Sequence, residues 1–155
     1  MQNPLHRYSL LIISISSPVL VGLYEDDTLM ETICTEKKTS EILLPMIMDF
    51  LDKYDIEQII YTRGPGSYMA VKLTYIMLQT IEVTRGIKCF GCSGFALNDN
   101  QPIKAIGNLY FIKEKETIIT KKYKQPPIIR FTLPQSIYSL KLDKESTPDY
   151  VLPAV

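Results

Sequence analysis

The chain has 155 residues, 46% of them apolar, and its 17 basic and 17 acidic residues cancel. That is enough apolar material for one compact domain, or two small lobes on a shared core. A neutral total excludes a global field drawing in nucleic acid or acidic membrane, so any contact with RNA has to be local or supplied by a partner.

Residues Tyr8 to Ser16 (YSLLIISIS) read as a central strand covered on both faces, because Leu and Ile run through it without alternation. This apolar run is too short to cross a bilayer, and serines and Pro18 interrupt it. Val19 to Tyr24 and Leu29 to Thr35 follow around a turn at Glu25-Asp26-Asp27, which predicts an antiparallel meander. Ser40 is the expected N-cap of a helix running to about Tyr54, with Glu41 in the first turn and Pro45 near it. A strand at Gln58 to Thr62, a helix from Ser67 to about Arg85 capped by Gly86, and a strand at Ile87 to Gly91 complete the order βββαβαβ. Beyond Gly94 the pattern predicts a hairpin of Ile103 to Ile112 with Thr117 to Tyr123. One more strand is expected at Ile128 to Leu133.

The three cysteines are Cys34, Cys89 and Cys92. An odd count without a secretory signal points to a reducing compartment, so a cytoplasmic protein with no membrane contact is expected. Cys89 and Cys92 form a single C-x-x-C. With His6 as the one histidine, four zinc ligands do not assemble, and buried structural thiols are the expected reading.

Both helices carry more apolar surface than one-sided packing on a sheet requires. The first has Leu43, Ile47 and Phe50, and the second has Met69, Leu73, Ile76 and Met77. These seven are the candidate partner interface, the alternative being full cover by the rest of the chain. The Met and Tyr content suits a protein–protein contact.

Arg63-Gly64-Pro65-Gly66-Ser67 joins a strand to a helix N-terminus. Exposed N–H groups there, with Arg63 beside them, suit a phosphate, so Arg63, Gly64, Gly66 and Ser67 form a candidate anion or nucleotide loop. The motif is neither a P-loop nor G-x-G-x-x-G, and a tight turn capped by Ser67 is the competing reading. The first strand ends in Ser14-Ile15-Ser16-Ser17 without the acid that would hold magnesium. No serine has a neighbouring histidine to activate it, so no catalytic or metal residue is assigned.

The stretch Ser40-Glu41-Ile42-Leu43-Leu44-Pro45-Met46-Ile47, with Thr62-Arg63-Gly64-Pro65-Gly66-Ser67-Tyr68-Met69-Ala70-Val71-Lys72, resembles the bacterial TsaB family. Its members read H-S-E-x-L-L-P-x-I and then G-R-G-P-G-S-F-T-G-L-R. The resemblance covers residues 8 to 97, and Pro148-Asp149-Tyr150 is similar to the family's terminal P-x-Y-L-R. It implies an actin/Hsp70/sugar-kinase-like (RNase H-like) α/β fold, with an N-terminal lobe over 1–97 and a shortened C-terminal lobe over 98–155. It also implies a catalytically inactive partner of TsaD in the complex that makes N6-threonylcarbamoyladenosine at position 37 of tRNA. TsaE would join that pair, tRNA would be met through the complex, and the chain alone would form a homodimer. ATP and metal would be bound by the partner subunits, with no cofactor of this chain's own.

Several positions depart from the family pattern. Ser14-Ile15-Ser16 replaces D-T-S, Thr39 replaces the histidine, and Met69, Ala70 and Val71 replace T-G-L. Gly107-Asn108-Leu109-Tyr110 stands for the usual D-A-R-x-x-E-V-Y. These changes weigh against nucleotide binding by this chain and against a peptidase role. An ATP-using enzyme of the sugar-kinase-like superfamily, or a peptidase homologue, is the alternative.

Overall fold

The structure, a computed structural model, describes residues 6–151; residues 1–5 and 152–155, the outer ends of the two expected lobes, lie outside the described residues. Five strands form one mixed sheet: β1 (Tyr8–Ile13), β2 (Val19–Glu25), β3 (Thr28–Thr35), β4 (Ile56–Gly64) and β5 (Lys88–Ser93). Their spatial order is β3-β2-β1-β4-β5. The first three strands pair antiparallel, and β4 and β5 add parallel to β1. Two crossover helices, α1 (Thr39–Lys53) and α2 (Tyr68–Arg85), make the parallel connections. This is the βββαβαβ order expected from the sequence, in the mixed α/β arrangement of the actin and sugar-kinase-like fold.

β1 is the centre of the molecule, and all six of its residues are buried. Its period of two sends Leu10 and Ile12 to one face and Leu11 and Ile13 to the other. The first pair packs with Leu43, Met46, Ile47 and Phe50 of α1 and Leu78 and Ile81 of α2. The second pair packs with Phe95, Leu97, Ile103, Phe111 and Ile137 from later in the chain. Both helices therefore cover one face of the sheet, while the C-terminal third covers the other.

That C-terminal third holds a three-stranded antiparallel sheet, β6 (Ile103–Ile106), β7 (Leu109–Glu114) and β8 (Thr117–Lys122). Ile103 to Ile112 is thus two strands rather than one, because Gly107-Asn108 forms a two-residue turn between Ile106 and Leu109. Gly107 supplies the positive φ (57°) that such a turn requires. The expected strand at Ile128 to Leu133 does not form; the segment has no ladder partner and makes single contacts such as Thr132 N–H to the Leu97 carbonyl at 3.0 Å. From Pro134 the chain returns to the first sheet. Tyr24 donates its hydroxyl to the Pro134 carbonyl (2.7 Å), and Ile137 N–H reaches the Asp27 carbonyl (3.0 Å).

Local signals explain most helix ends. Gly86 closes α2 in the left-handed conformation (φ 70°), its N–H bonded to the Glu82 carbonyl. Ser67 caps the start of α2 by accepting from Ala70 N–H. α1 departs from expectation: it begins one residue before Ser40, and Lys38 at its N-cap gives no side-chain hydrogen bond. Pro45 falls in the second turn on the exposed side, where loss of one helical N–H is tolerated.

Cys89 and Cys92 lie three apart on β5, so their side chains point to opposite faces of the sheet. Cys89 belongs to the core under the helices and Cys92 to the other. They cannot close a disulfide or share a metal, and burial raises both thiols to about 12. Among the described residues no helix is long and apolar enough to cross a membrane.

Leu43 is fully buried, whereas its neighbour Leu44 is exposed. Leu43→Ala is expected to lower unfolding stability in urea by about 2–5 kcal/mol, and Leu44→Ala by less than about 0.5 kcal/mol.

Candidate functional site

β4 ends at Gly64, and Gly64-Pro65-Gly66-Ser67 turns the chain into α2, whose first residue is Tyr68. The loop does sit at a helix N-terminus, as expected. Its cation is not free for a ligand. Arg63 Nη1 pairs with Asp143 at 3.0 Å, Nη2 lies 3.6 Å from Glu145, and Nε donates to the Thr147 carbonyl at 2.6 Å. The side chain is only 13% exposed, so the Asp143 contact is a partly desolvated, charge-assisted bond rather than a loose surface pair. Glu145, largely exposed, adds little.

The backbone completes the clasp. Asp149 N–H bonds to the Arg63 carbonyl (2.7 Å), and Asp143 N–H bonds to the Gly91 carbonyl (2.8 Å). Tyr61 donates its hydroxyl to the Ser146 carbonyl, and burial pushes the Tyr61 phenol well above its ordinary range. Tyr150 stacks on Tyr68 at 4.7 Å. Gly64 is needed here for two reasons: its φ is 128°, and a Cβ would stand 2.6 Å from the Asp149 carbonyl oxygen. Gly91 makes the matching space on β5, where a Cβ would come within 2.6 Å of Arg63 Cδ. The loop is shaped around the returning tail. Gly66 packs against Ile15, and Ser67, exposed, serves as the cap.

Two clefts flank the start of α2, and Ser67 and Met69 line both. One, about 340 Å³, opens toward Ile106 and Phe111 of the small sheet and Tyr150 of the tail. The other, about 440 Å³, lies between the end of β1 and the start of α1, beside Ser16, Lys37, Lys38 and Ser40. Glu36 is the one carboxylate on its wall. Hydroxyls and ammonium groups suit an anion there better than a divalent cation. At its floor, where the family pattern has an acid, Ser14 Oγ bonds to Thr74 Oγ1 at 2.7 Å, and both residues are buried. This pair ties β1 to α2.

Among the described residues, the group of His, Asp and Glu side chains close enough to share an ion is His6 with Glu25 and Asp26. His6 Nδ1 lies 2.8 Å from Asp26 and 2.9 Å from Glu25, beside the β2–β3 turn. The hydrogen bond to Asp26 raises the imidazole pKa above 6.5. The cluster is partly exposed and distant from the loop in sequence, and it ties His6 to that turn.

The seven candidate interface residues separate into two groups. Leu43, Ile47 and Phe50 are at most 3% exposed and form the core against the sheet, so they are corrected from interface to core. Leu73 and Met77 are half-buried, Met77 packing on the same core. Met69 and Ile76 stand in solvent at 66% and 49% exposure. Val83, absent from the sequence-based set, is 81% exposed. Met69, Leu73, Ile76, Thr80 and Val83 follow the alternating four–three spacing that keeps one helix stripe in line. That spacing is present in the sequence, but the wide apolar arc of α2 hides it.

No family model and no curated protein matches the sequence. Solved structures do match in shape. YeaZ from Pseudomonas aeruginosa superimposes with a TM-score of 0.62 at 14% identity, over 79% of this chain and 70% of that one. A second structure from Pseudomonas aeruginosa, described as an uncharacterized protein with similarity to peptidase YeaZ, gives 0.60 at 14% identity, over 79% and 69%. The likeness is one of fold.

Removing the Arg63 side chain leaves Asp143 and the Thr147 carbonyl without their donor. Arg63→Ala is expected to lower stability by about 2 kcal/mol and to open Lys141 and Lys144 to trypsin, read as early release of the C-terminal fragment by mass spectrometry. Lys141 and Lys144 resisting as in the wild type would show that the tail is held by other groups.

Proposed function

We propose that the chain is a non-catalytic partner subunit that docks the exposed stripe of α2 against TsaD, within the apparatus that forms N6-threonylcarbamoyladenosine on tRNA. The observation that carries the reading is the line Met69, Leu73, Ile76, Thr80 and Val83, apolar but for one threonine, in which Met69, Ile76 and Val83 are exposed and Leu73 is half-buried. A helix of a domain this size gains nothing from holding Met, Ile and Val in water, whereas a second helix laid along the stripe would bury them. Each such side chain contributes about 1.5–3 kcal/mol when removed from water. The YeaZ-like fold and the R-G-P-G-S and S-E-x-L-L-P resemblances to TsaB supply the identity of the partner. TsaE joins through TsaD, and a homodimer through the same stripe is the expected state of the chain alone. ATP and metal belong to the partners, in the cytoplasm.

The reading of an ATP-using enzyme draws on Arg63 and the glycine turn. With the guanidinium engaged by Asp143 and Thr147, no observation favours it over the partner role. A peptidase reading has no activated serine to rest on: Ser14 Oγ is bonded to Thr74, and the histidine is at the far turn with Asp26.

Met69→Asp combined with Ile76→Asp is expected to weaken the complex with TsaD from the same organism about a hundredfold by calorimetry. Thermal stability should stay near wild type, since both positions are solvent-exposed. Unchanged affinity in a folded double variant would contradict the docking assignment.

A further inference from the structure

Charge in this neutral chain is segregated. Of its 17 basic and 17 acidic residues, seven basic and two acidic ones fall between residues 103 and 130. All seven cations are exposed, and the two acids, Glu114 and Glu116, sit at the β7–β8 hairpin tip. Elsewhere Arg7, Lys53 and Arg63 are matched to carboxylates, but among the described residues none of these seven is in an ion pair.

The small sheet arranges part of this charge on one face. Lys104, Tyr110 and Lys121 are direct cross-strand neighbours, so they project from the same side. The opposite side, with Ile103, Phe111 and Ile118, packs on the main core, which leaves the lysine row outward. Tyr123 meets Tyr110 edge-on at 5.2 Å, and Lys121 Nζ lies 5.3 Å from the Tyr123 ring centre. Lys122, the last residue of β8, points to the other side at the sheet's edge, and Lys124 follows beyond the strand end. Lysines on edge strands also discourage strand addition, but that need does not account for Lys113 on the central strand or for Lys124 and Arg130 beyond the strand end.

We propose that the outer face of β6–β8, centred on Lys104 and Lys121 and extended by Lys122 and Lys124 at its outer edge, is a docking surface for the phosphate backbone of RNA. Lys104 and Lys121, two strand spacings (about 10 Å) apart across the sheet, with Lys122 and Lys124 beside them, present exposed ammonium groups outside any ion pair to a polyanion. Ile106 and Ile119 are exposed beside the lysines while Tyr110 at the centre of the row is buried, so an acidic bilayer is the competing polyanion, and the vesicle arm of the test below decides against it or for it. The charge segregation stands on its own, while the choice of RNA among polyanions rests on the proposed role in tRNA modification. The surface lies on the small sheet and the stripe on α2; the two approach each other where Met69 and Ile106 line one cleft, and separate variants test them.

The test is fluorescence anisotropy of the isolated full chain with a labelled tRNA anticodon stem-loop, over a range of salt concentrations. Parallel arms use single-stranded DNA of the same sequence, phosphatidylserine vesicles and polyglutamate. The expected result is salt-dependent RNA binding, weakened at least tenfold by Lys104→Glu/Lys121→Glu/Lys122→Glu. The slope of log affinity against log salt should fall by about 0.7–0.9 for each phosphate that the variant no longer neutralises. Lys88→Glu, an exposed charge on β5, and Met69→Asp/Ile76→Asp should leave RNA binding unchanged. Absence of RNA binding, its survival in the triple variant, or tighter binding to DNA, vesicles or polyglutamate than to RNA would overturn the proposal. The helix variant fails or passes independently, so a wrong partner assignment and a wrong RNA surface are told apart.

Discussion

Arg63 holds the architecture of the candidate site together. It sits one residue before the turn that launches α2, and its guanidinium reaches Asp143 and the Thr147 carbonyl, some eighty residues later in the chain. Gly64 and Gly91 are glycines because the tail and the Arg63 side chain occupy the space a Cβ would need. The tail, so held, brings Tyr150 onto Tyr68 at the first residue of α2. A motif that reads alone as an anion cradle is therefore a clasp between the main sheet and the last described residues. This placement also fixes where α2 starts, and hence which of its sides looks outward.

The inner strands of the central sheet have no free face, whereas the edge strand β3 is largely exposed. Helices cover one side, and the small sheet with the returning tail covers the other. Besides the β3 edge, what the molecule offers to others is the outside of those covers. On the helical side that outside is an apolar stripe; on the other it is a lysine row. The two differ in chemistry as well as position, and each is assigned its own proposed partner, a protein for the stripe and RNA for the lysines.

Sequence pattern is enough for the elements whose signals are local. The apolar run of β1, the Gly86 cap and the Ser67 cap each act within a few residues; both caps stand where the pattern puts them, and β1 starts at Tyr8 as expected but ends at Ile13, short of Ser16. The errors lie where a tertiary partner decides. Leu43, Ile47 and Phe50 are plainly apolar, but periodicity cannot say whether sheet or solvent receives them. The strand expected at 128–133 has β-forming residues and no neighbour to pair with. Gly107-Asn108 interrupts what otherwise reads as one strand, and a glycine inside an apolar run is the usual mark of a turn or bulge. Nothing local to Arg63 announces Asp143 or Thr147. The cross-strand alignment of Lys104 with Lys121 likewise needs the register of three strands.

The central claim is that the outward stripe of α2 is where a TsaD-type partner sits. Methyl-labelled Met and Ile side chains test it most directly, by NMR of the chain with and without TsaD from the same organism. The account predicts that the Met69 and Ile76 methyl signals shift or broaden on complex formation, while the core methyl of Ile47 moves little. A stable complex that leaves Met69 and Ile76 unperturbed would contradict it.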